Sequence, residues 1–311
     1  MRKLAITTAA ALGALAAVCA WGGWVYEGKW GRLGSGDGEF NWPWGVAVAP
    51  GGDVYVTEHF GRRVQRFTPT GSFLGKWTTP WPGSRVRGVG VAPNGNVYVT
   101  SGDAQYEAYV GYFTRAGSLL GTWMVRGNVP GAAFGVGVSP ARTVYVAEAR
   151  DERVSRYTSS GSTLGSWGVK ADGLALAPNG NVYVTGWWAQ NRVYYYTPTG
   201  SLLGSWGSKG SGNGEFDEAH GLDVAPNGYV YVADRYNCRI QYFTASGSFL
   251  GKWGTRGGGE GEFYAPWDVR VSADGKRVYV AETGNHRIQY FRWSDAAVAP
   301  ASLGHVKALF R

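Results

Sequence analysis

Six positions that head a recurring Gly-Val-x-Val segment hold Trp44, Arg87, Phe134, Asp172, His220 and Trp267, and Asp268 stands beside Trp267 where glycine is usual. The set mixes aromatic faces with one base, two acids and an imidazole. Such a mixture suits asymmetric contact, with rings giving area and charges giving orientation. Catalysis asks for more. A catalytic zinc needs about three protein ligands, and His220 is the only histidine in the set. Asp172 and Asp268 are too few for a calcium cage. No serine sits in a nucleophile-elbow sequence. The set therefore calls for no cofactor and no catalytic residue, and leaves room only for a single calcium or zinc ion.

Other residues look chemical by spacing alone. Acid and arginine recur five apart at Glu58/Arg63, Glu148/Arg153, Asp234/Arg239 and Glu282/Arg287. The second copy has Ser101 and Tyr109 there and loses both partners together, so a structural clasp accounts for the pairs better than acid/base work. The fourth copy keeps Arg192 opposite Gly186, and that arginine must pair elsewhere. The loops Gly34 to Glu39, Gly210 to Glu215 and Gly257 to Glu262 suggest phosphate or calcium. No helix or lysine follows as a phosphate loop requires, and the carboxylates are too few for calcium. Glycine-rich connections explain them. Cys238 lies in a turn with no histidine fixed beside it in sequence.

These residues hang on a repeated framework. Val-Tyr-Val strands centre on Tyr55, Tyr98, Tyr145, Tyr183, Tyr231 and Tyr279, and the spacing suits a four-stranded propeller blade. Each unit runs through a Gly-Val-Ala-Val-like strand, an Ala-Pro-Asn-Gly hairpin, the Val-Tyr-Val strand, an aromatic-ended strand and a Gly-x-Trp strand. The Gly-x-Trp tryptophans read as packing between blades, and Thr-Pro-Thr-Gly reads as a plain turn. The sixth unit lacks its last strand. Tyr26 to Trp30 matches Phe249 to Trp253, so the N-terminal strand is expected to complete the last blade and remove an open edge. The expected fold is all-β, a six-bladed propeller over 25–293, with each rim residue just before its first strand.

The Gly-Glu-Phe-x-x-Pro-x-Gly-Val lead-in, the Val-Tyr-Val-x-Asp/Glu strand end and the Asn-x-Arg-Ile/Val-Gln-x-Phe segment resemble the NHL-repeat family. The best copies are Gly38 to Trp77, Gly214 to Trp253 and Gly261 to Phe291. The resemblance implies a six-bladed β-propeller. Peptidylglycine amidating lyase has a related propeller that binds a metal through several histidines. Ala219-His220-Gly221-Leu222 is similar to one such segment, but Trp44, Arg87, Phe134, Asp172 and Trp267 occupy the equivalent places. Lactonase-type propellers imply a calcium cluster that Asp172 and Asp268 do not complete. The RING domain of ligase relatives does not carry over to a chain with two cysteines. RNA binding is discouraged by dispersed charge, despite a formal net charge of +8.

Met1-Arg2-Lys3 and the apolar run Leu4 to Val18 read as a signal peptide over 1–20, ending at Val18-Cys19-Ala20. A lipid anchor at Cys19 and an uncleaved anchor are the alternatives. The tail, 294–311, breaks the repeat and offers Ser302 as a helix cap ahead of an apolar stripe. The sequence thus reads as an exported (secreted, periplasmic or cell-surface) propeller that binds or scaffolds a protein, peptide or carbohydrate partner through one channel rim. Nucleic acid is not expected. A membrane enters only through the N-terminal segment. Trp187 and Trp188 are further candidates for contact area, and a metal-dependent propeller enzyme is the rival reading.

Overall fold

Short Val- and Tyr-rich strands separated by Asn-Gly and Pro-x-Gly turns form antiparallel hairpins, and between the two ends of the chain no stretch has the period of a helix. The computed structural model describes residues 20–21, 23–81, 85–103, 106–125, 133–186 and 190–294, which are all strand, turn and loop. They form six antiparallel sheets arranged as blades. Blade 1 comprises Pro43–Val48, Val54–Glu58, Arg63–Phe67 and Phe73–Thr78. The inner strands of blades 2 to 6 are Val86–Val91, Ala133–Val138, Ala171–Leu176, Ala219–Val224 and Pro266–Val271. The signal-peptide segment, Cys19, Trp187, Trp188 and the tail beyond Ser294 lie outside the described residues.

The ring closes as the Tyr26 to Trp30 match requires. Trp24–Trp30 pairs antiparallel with Arg287–Trp293, so the two ends of the chain share the last blade. A two-residue strand, Ala20–Trp21, folds back on Trp24 and Val25 and gives this sheet a fifth strand. Trp30 then packs against Tyr279 and Tyr290 of blade 6 and Phe67 of blade 1. One ring thus links the blades on either side of the closure.

The other Gly-x-Trp tryptophans do the same between their neighbours. Trp206 of blade 4 contacts Tyr183 of its own blade and Phe243 of blade 5, and Trp253 repeats this with Tyr231 and Phe291. The Thr-x-x-Gly turns, Thr-Pro-Thr-Gly among them, prove to be more than turns. Gly247 has φ +95, and a Cβ there would lie 2.5 Å from the Trp206 ring. Glycine is thus needed for conformation and for space, and each such turn roofs the tryptophan of the preceding blade.

The acid–arginine pairs are clasps, and they hold more than their own turn. Asp234 is fully buried, and Arg239 meets it at 2.7 Å. The same guanidinium donates to the carbonyls of Ser211, Gly212 and Glu215, while Gln241 donates to Asp234 and Glu215. Glu282 and Arg287 repeat the pattern with Gly258, Gly259 and Glu262. The glycine-rich loops are therefore pinned by the blade behind them. Their glutamates fold inward, as where Glu262 accepts from the Gly259 amide at 2.8 Å. In blade 4 the arginine without an acid, Arg192, donates to Ser205 Oγ.

Removing one partner of a buried, fully bonded pair strands the other charge. Arg239→Ala should cost on the order of 3–5 kcal/mol in urea unfolding, and Arg192→Ala under about 1 kcal/mol. Equal losses would mean that the clasp is dispensable.

Candidate functional site

The rim residues do not precede the inner strands, as the sequence suggests; each is the second residue within one, and this draws its side chain into the channel mouth. The backbone there is tied to the blade before. Thr57 Oγ1 donates to the Arg87 carbonyl, Thr100 Oγ1 to Phe134 O at 2.6 Å, and Thr185 Oγ1 to His220 O at 2.5 Å. The lead-in is held as well. The Asn41 and Asp217 amides donate to Glu58 and Asp234, the clasp acids. Trp42, Glu218 and Ala265, two residues ahead of Trp44, His220 and Trp267, adopt φ of 60°, 57° and 51°. These non-glycine residues sit in the left-handed region, a conformation that the clasped loop imposes.

The structure brings Trp44, Phe134, Asp172, His220, Trp267 and Asp268 around one cavity, and Arg87 caps its edge. Four rings run across the mouth in a row. His220 stacks on Trp267 at 4.0 Å, Trp267 meets Trp44 at 3.8 Å, and Trp44 stacks on His59 at 4.1 Å. Guanidiniums lie over the row, Arg235 on Trp267 at 4.3 Å and Arg87 on Trp44 at 5.8 Å, and Arg87 also lies on Phe134 beside it at 3.9 Å. Arg87 Nε also donates to Gly102 O. Apart from half-buried Trp44, every one of the seven rim residues is buried. The space left is about 30 Å³, roughly the volume of one water. The mouth is sealed by its own side chains.

The two ends of the row differ electrically. His59 is buried near two guanidiniums, and burial first, then Arg87 and Arg85, pushes its pKa down to about 3, which keeps it neutral. His220 lies between two carboxylates. Asp172 Oδ2 is in ion-pair contact with Nδ1 but off the line of a hydrogen bond, and Glu218 is 3.3 Å from Nε2. Burial disfavours the charged imidazole, but Asp172 and Glu218 outweigh it and raise the pKa. Glu218 in turn pairs with Arg235 at 2.6 Å. This chain of charges could move a proton, but the row of rings leaves no room for a substrate to receive it. Among the described residues no cluster of three or more His, Cys, Asp or Glu could hold a metal.

Asp268 serves the ring rather than the mouth. Its carboxylate accepts from the Val46 and Val269 amides at 3.0 Å, joining blade 6 to blade 1. Arg270, two residues on, ties blade 6 to both its neighbours, donating to Val46 O of blade 1 and Leu222 O of blade 5. Burial pushes the Asp268 pKa up to about 6, against the pull of Arg270.

Around this plug stands an outer group of exposed rings that repeat alignment does not mark: Trp42, Phe60, Tyr236 and Tyr264, with exposures of 39%, 43%, 55% and 44%. They occupy lead-in and turn positions that vary from copy to copy. Their only signal is an aromatic placed where the framework tolerates any residue.

Because the folded protein holds the Asp268 proton more tightly than the unfolded chain, stability should fall as pH rises from about 4 to about 6 and then level off. From an ordinary 3.8 to about 6, the loss is on the order of 3 kcal/mol. Asp268→Asn should lack this component, so the wild-type-minus-variant stability difference, followed by denaturant unfolding across that window, should decline by that amount. A constant difference would contradict the raised pKa.

The repeat itself is recognised independently. A family model described as the NHL repeat matches residues 40–67, 216–243 and 263–291. No curated protein sequence matches the chain. Among solved structures, a catalytically inactive virginiamycin B lyase from Staphylococcus aureus with quinupristin aligns at a TM-score of 0.63 and 16% identity, covering 84% of this chain and 97% of that one. A streptogramin B lyase aligns at 0.60 and 14% identity, covering 88% and 99%. Hydrazine synthase of Kuenenia stuttgartiensis aligns at 0.60 and 13% identity, covering 86% and 99%. At such identities the likeness is one of fold. The chain therefore carries NHL repeats at three positions and folds as a six-bladed β-propeller.

Proposed function

We propose that this protein is a binding or scaffold module that presents its channel-mouth face to a protein, peptide or carbohydrate partner. The observation that carries this reading is the sealed mouth ringed by exposed aromatics. A rigid plug of Trp44, Trp267, His220 and His59 leaves about 30 Å³ inside. Trp42, Phe60, Tyr236 and Tyr264 stand exposed around it. Recognition by this face takes place on the surface rather than inside the channel. Aromatic anchors with arginines nearby are the composition that protein and glycan contacts favour. In this reading Trp44 reaches the partner, whereas Arg87, Phe134, Asp172 and Trp267 hold the platform. The N-terminal segment, read as an export signal, would place that partner outside the cytoplasm.

A metal-dependent enzyme of the peptidylglycine-lyase or lactonase type is the second reading. It draws on His220 between Asp172 and Glu218 and on the lyase folds among similar structures. Two measurements separate the readings. The purified protein, dialysed gently without chelator, should carry no stoichiometric divalent metal by mass spectrometry; zinc or calcium near one per chain would favour the enzyme and direct attention to His220 and Asp172. On glycan and peptide arrays, Trp44→Ala should lower binding about tenfold, as loss of an aromatic anchor does, with little change in melting temperature. Undiminished array binding by that variant would sink the rim assignment.

A further inference from the structure

Beside the plug, a cleft of about 360 Å³ opens between the turn of blade 5, the lead-in of blade 6 and Trp42 of blade 1. Trp42, Tyr236 and Tyr264 wall it, Arg235, Arg256 and His286 supply its polar groups, and no aspartate or glutamate lines it. Arg235 is engaged with Glu218. Arg256 is different. In the matching loop of blade 1, Arg32 pairs with Glu39 at 2.8 Å on the surface. Blade 6 has Thr255 at that register, and the following Arg256 swings over the Tyr264 ring at 5.2 Å. Arg256 is exposed, and among the described residues it has no carboxylate within ion-pair reach. A cation is thus held on an aromatic face, above a concavity without any acid to answer it.

The chemistry of the walls narrows the occupant. An extended peptide would seek free backbone donors, but the amides of Arg235, Cys238, Thr283 and Gly284 are already bonded to the carbonyls of Glu218, Arg235, Ala265 and Tyr264. A nucleic acid strand would call for several cations at phosphate spacing, and Arg256 is the one without an acid here. A sugar ring asks for less. Its C–H face lies on an exposed tyrosine or tryptophan, and one carboxylate takes a guanidinium in bidentate fashion. A volume of this size lies in the range of small-ligand sites.

We propose that this cleft binds an acidic saccharide, with a uronate carboxylate on Arg256 and the sugar ring on Tyr236 or Tyr264. The site rests on the proposed binding reading, since Trp42, Tyr236 and Tyr264 belong to that face, but it is separate from the plug, because neither Trp44 nor Trp267 lines it.

The test is calorimetric titration of the full chain with a short oligogalacturonate and, separately, with its methyl ester, which keeps the rings and removes the charge. The acid should bind and the ester should bind at least about tenfold more weakly, the loss expected of one charge-assisted contact. Arg256→Gln should weaken the acid by about the same factor and leave the ester unchanged, while Tyr236→Ala should weaken both. Arg32→Gln, in the corresponding loop of blade 1, should change nothing. Melting temperatures close to wild type would show that the variants are folded, as expected for exposed positions. Equal binding of acid and ester, no binding up to about 10 mM, or an Arg256→Gln variant that binds normally would each overturn the proposal. Failure of the cleft is distinguishable from failure of the rim. Trp44→Ala should leave oligogalacturonate binding intact whether or not it loses its array ligands, and a loss of both would also count against a separate site.

Discussion

A carboxylate buried at the end of a second strand cannot stand alone, and much of the channel mouth follows from how it is paired. Burial raises Glu148, Asp234 and Glu282 above their ordinary values even beside arginine. The protein offsets this desolvation with a guanidinium, and in blades 1, 5 and 6 also with a glutamine and the first amides of the lead-in loop. Those amides are what matter for the site. Once the lead-in is fastened to the clasp acid, the chain must turn through a left-handed residue and deliver the next inner strand with its second side chain in the channel. Where the acid is absent, in blades 2 and 4, the mouth is met by Arg87 and Asp172, and other ties carry the load. Thr57, for instance, fastens the Arg87 carbonyl directly to blade 1.

Closure imposes the complementary constraint. A ring of sheets leaves only short outer edges, but only if the last blade is finished by the first strand of the chain. The exchange of Trp24–Trp30 into blade 6 does this, and a tryptophan–glycine contact makes five junctions alike, while between blades 5 and 6 Trp24 stacks on Trp253. Uniform junctions outside allow the inner positions to differ. Trp44, Arg87, Phe134, Asp172, His220 and Trp267 share a backbone setting and little else. One framework therefore carries six unrelated side chains to one point.

Most of the fold was legible because it is written six times. The repeated Val-Tyr-Val, Gly-x-Trp and acid–arginine spacings are local patterns, and even the closing strand could be found by its likeness to Phe249–Trp253. The mouth was legible only as a set of residues. That Trp44 and Trp267 touch depends on ring curvature joining positions far apart in the chain, and so does the burial that turns a supposed contact rim into a plug. Asp268 shows the same limit. Its charge invites a ligand in sequence, whereas in space it is spent on the Val46 amide of the neighbouring blade. The exposed rings at Phe60, Tyr236 and Tyr264 were invisible for the opposite reason. Repeat comparison highlights what recurs, and a recognition surface is built at the positions that do not.

Sealing the mouth has a consequence for how this propeller can work. An open channel admits a ligand along its axis, and specificity then resides in the inner strands. Here Arg270 ties blade 6 to blades 1 and 5, and the ring row lies across the mouth. In the proposed reading the inner residues other than Trp44 would support recognition rather than make contact. Arg235 shows the coupling. It lies on Trp267 of the plug, on Tyr236 of the surface and against Glu218, which also reaches His220. A partner that contacts Tyr236 or Arg235 therefore presses on a network that ends at a buried imidazole. The charge on that imidazole is favoured by Asp172 and Glu218 and opposed by Arg235, so the two cations share one carboxylate. In the proposed reading, recognition on this face would be set by the blades through the plug, and the plug is set by the clasps.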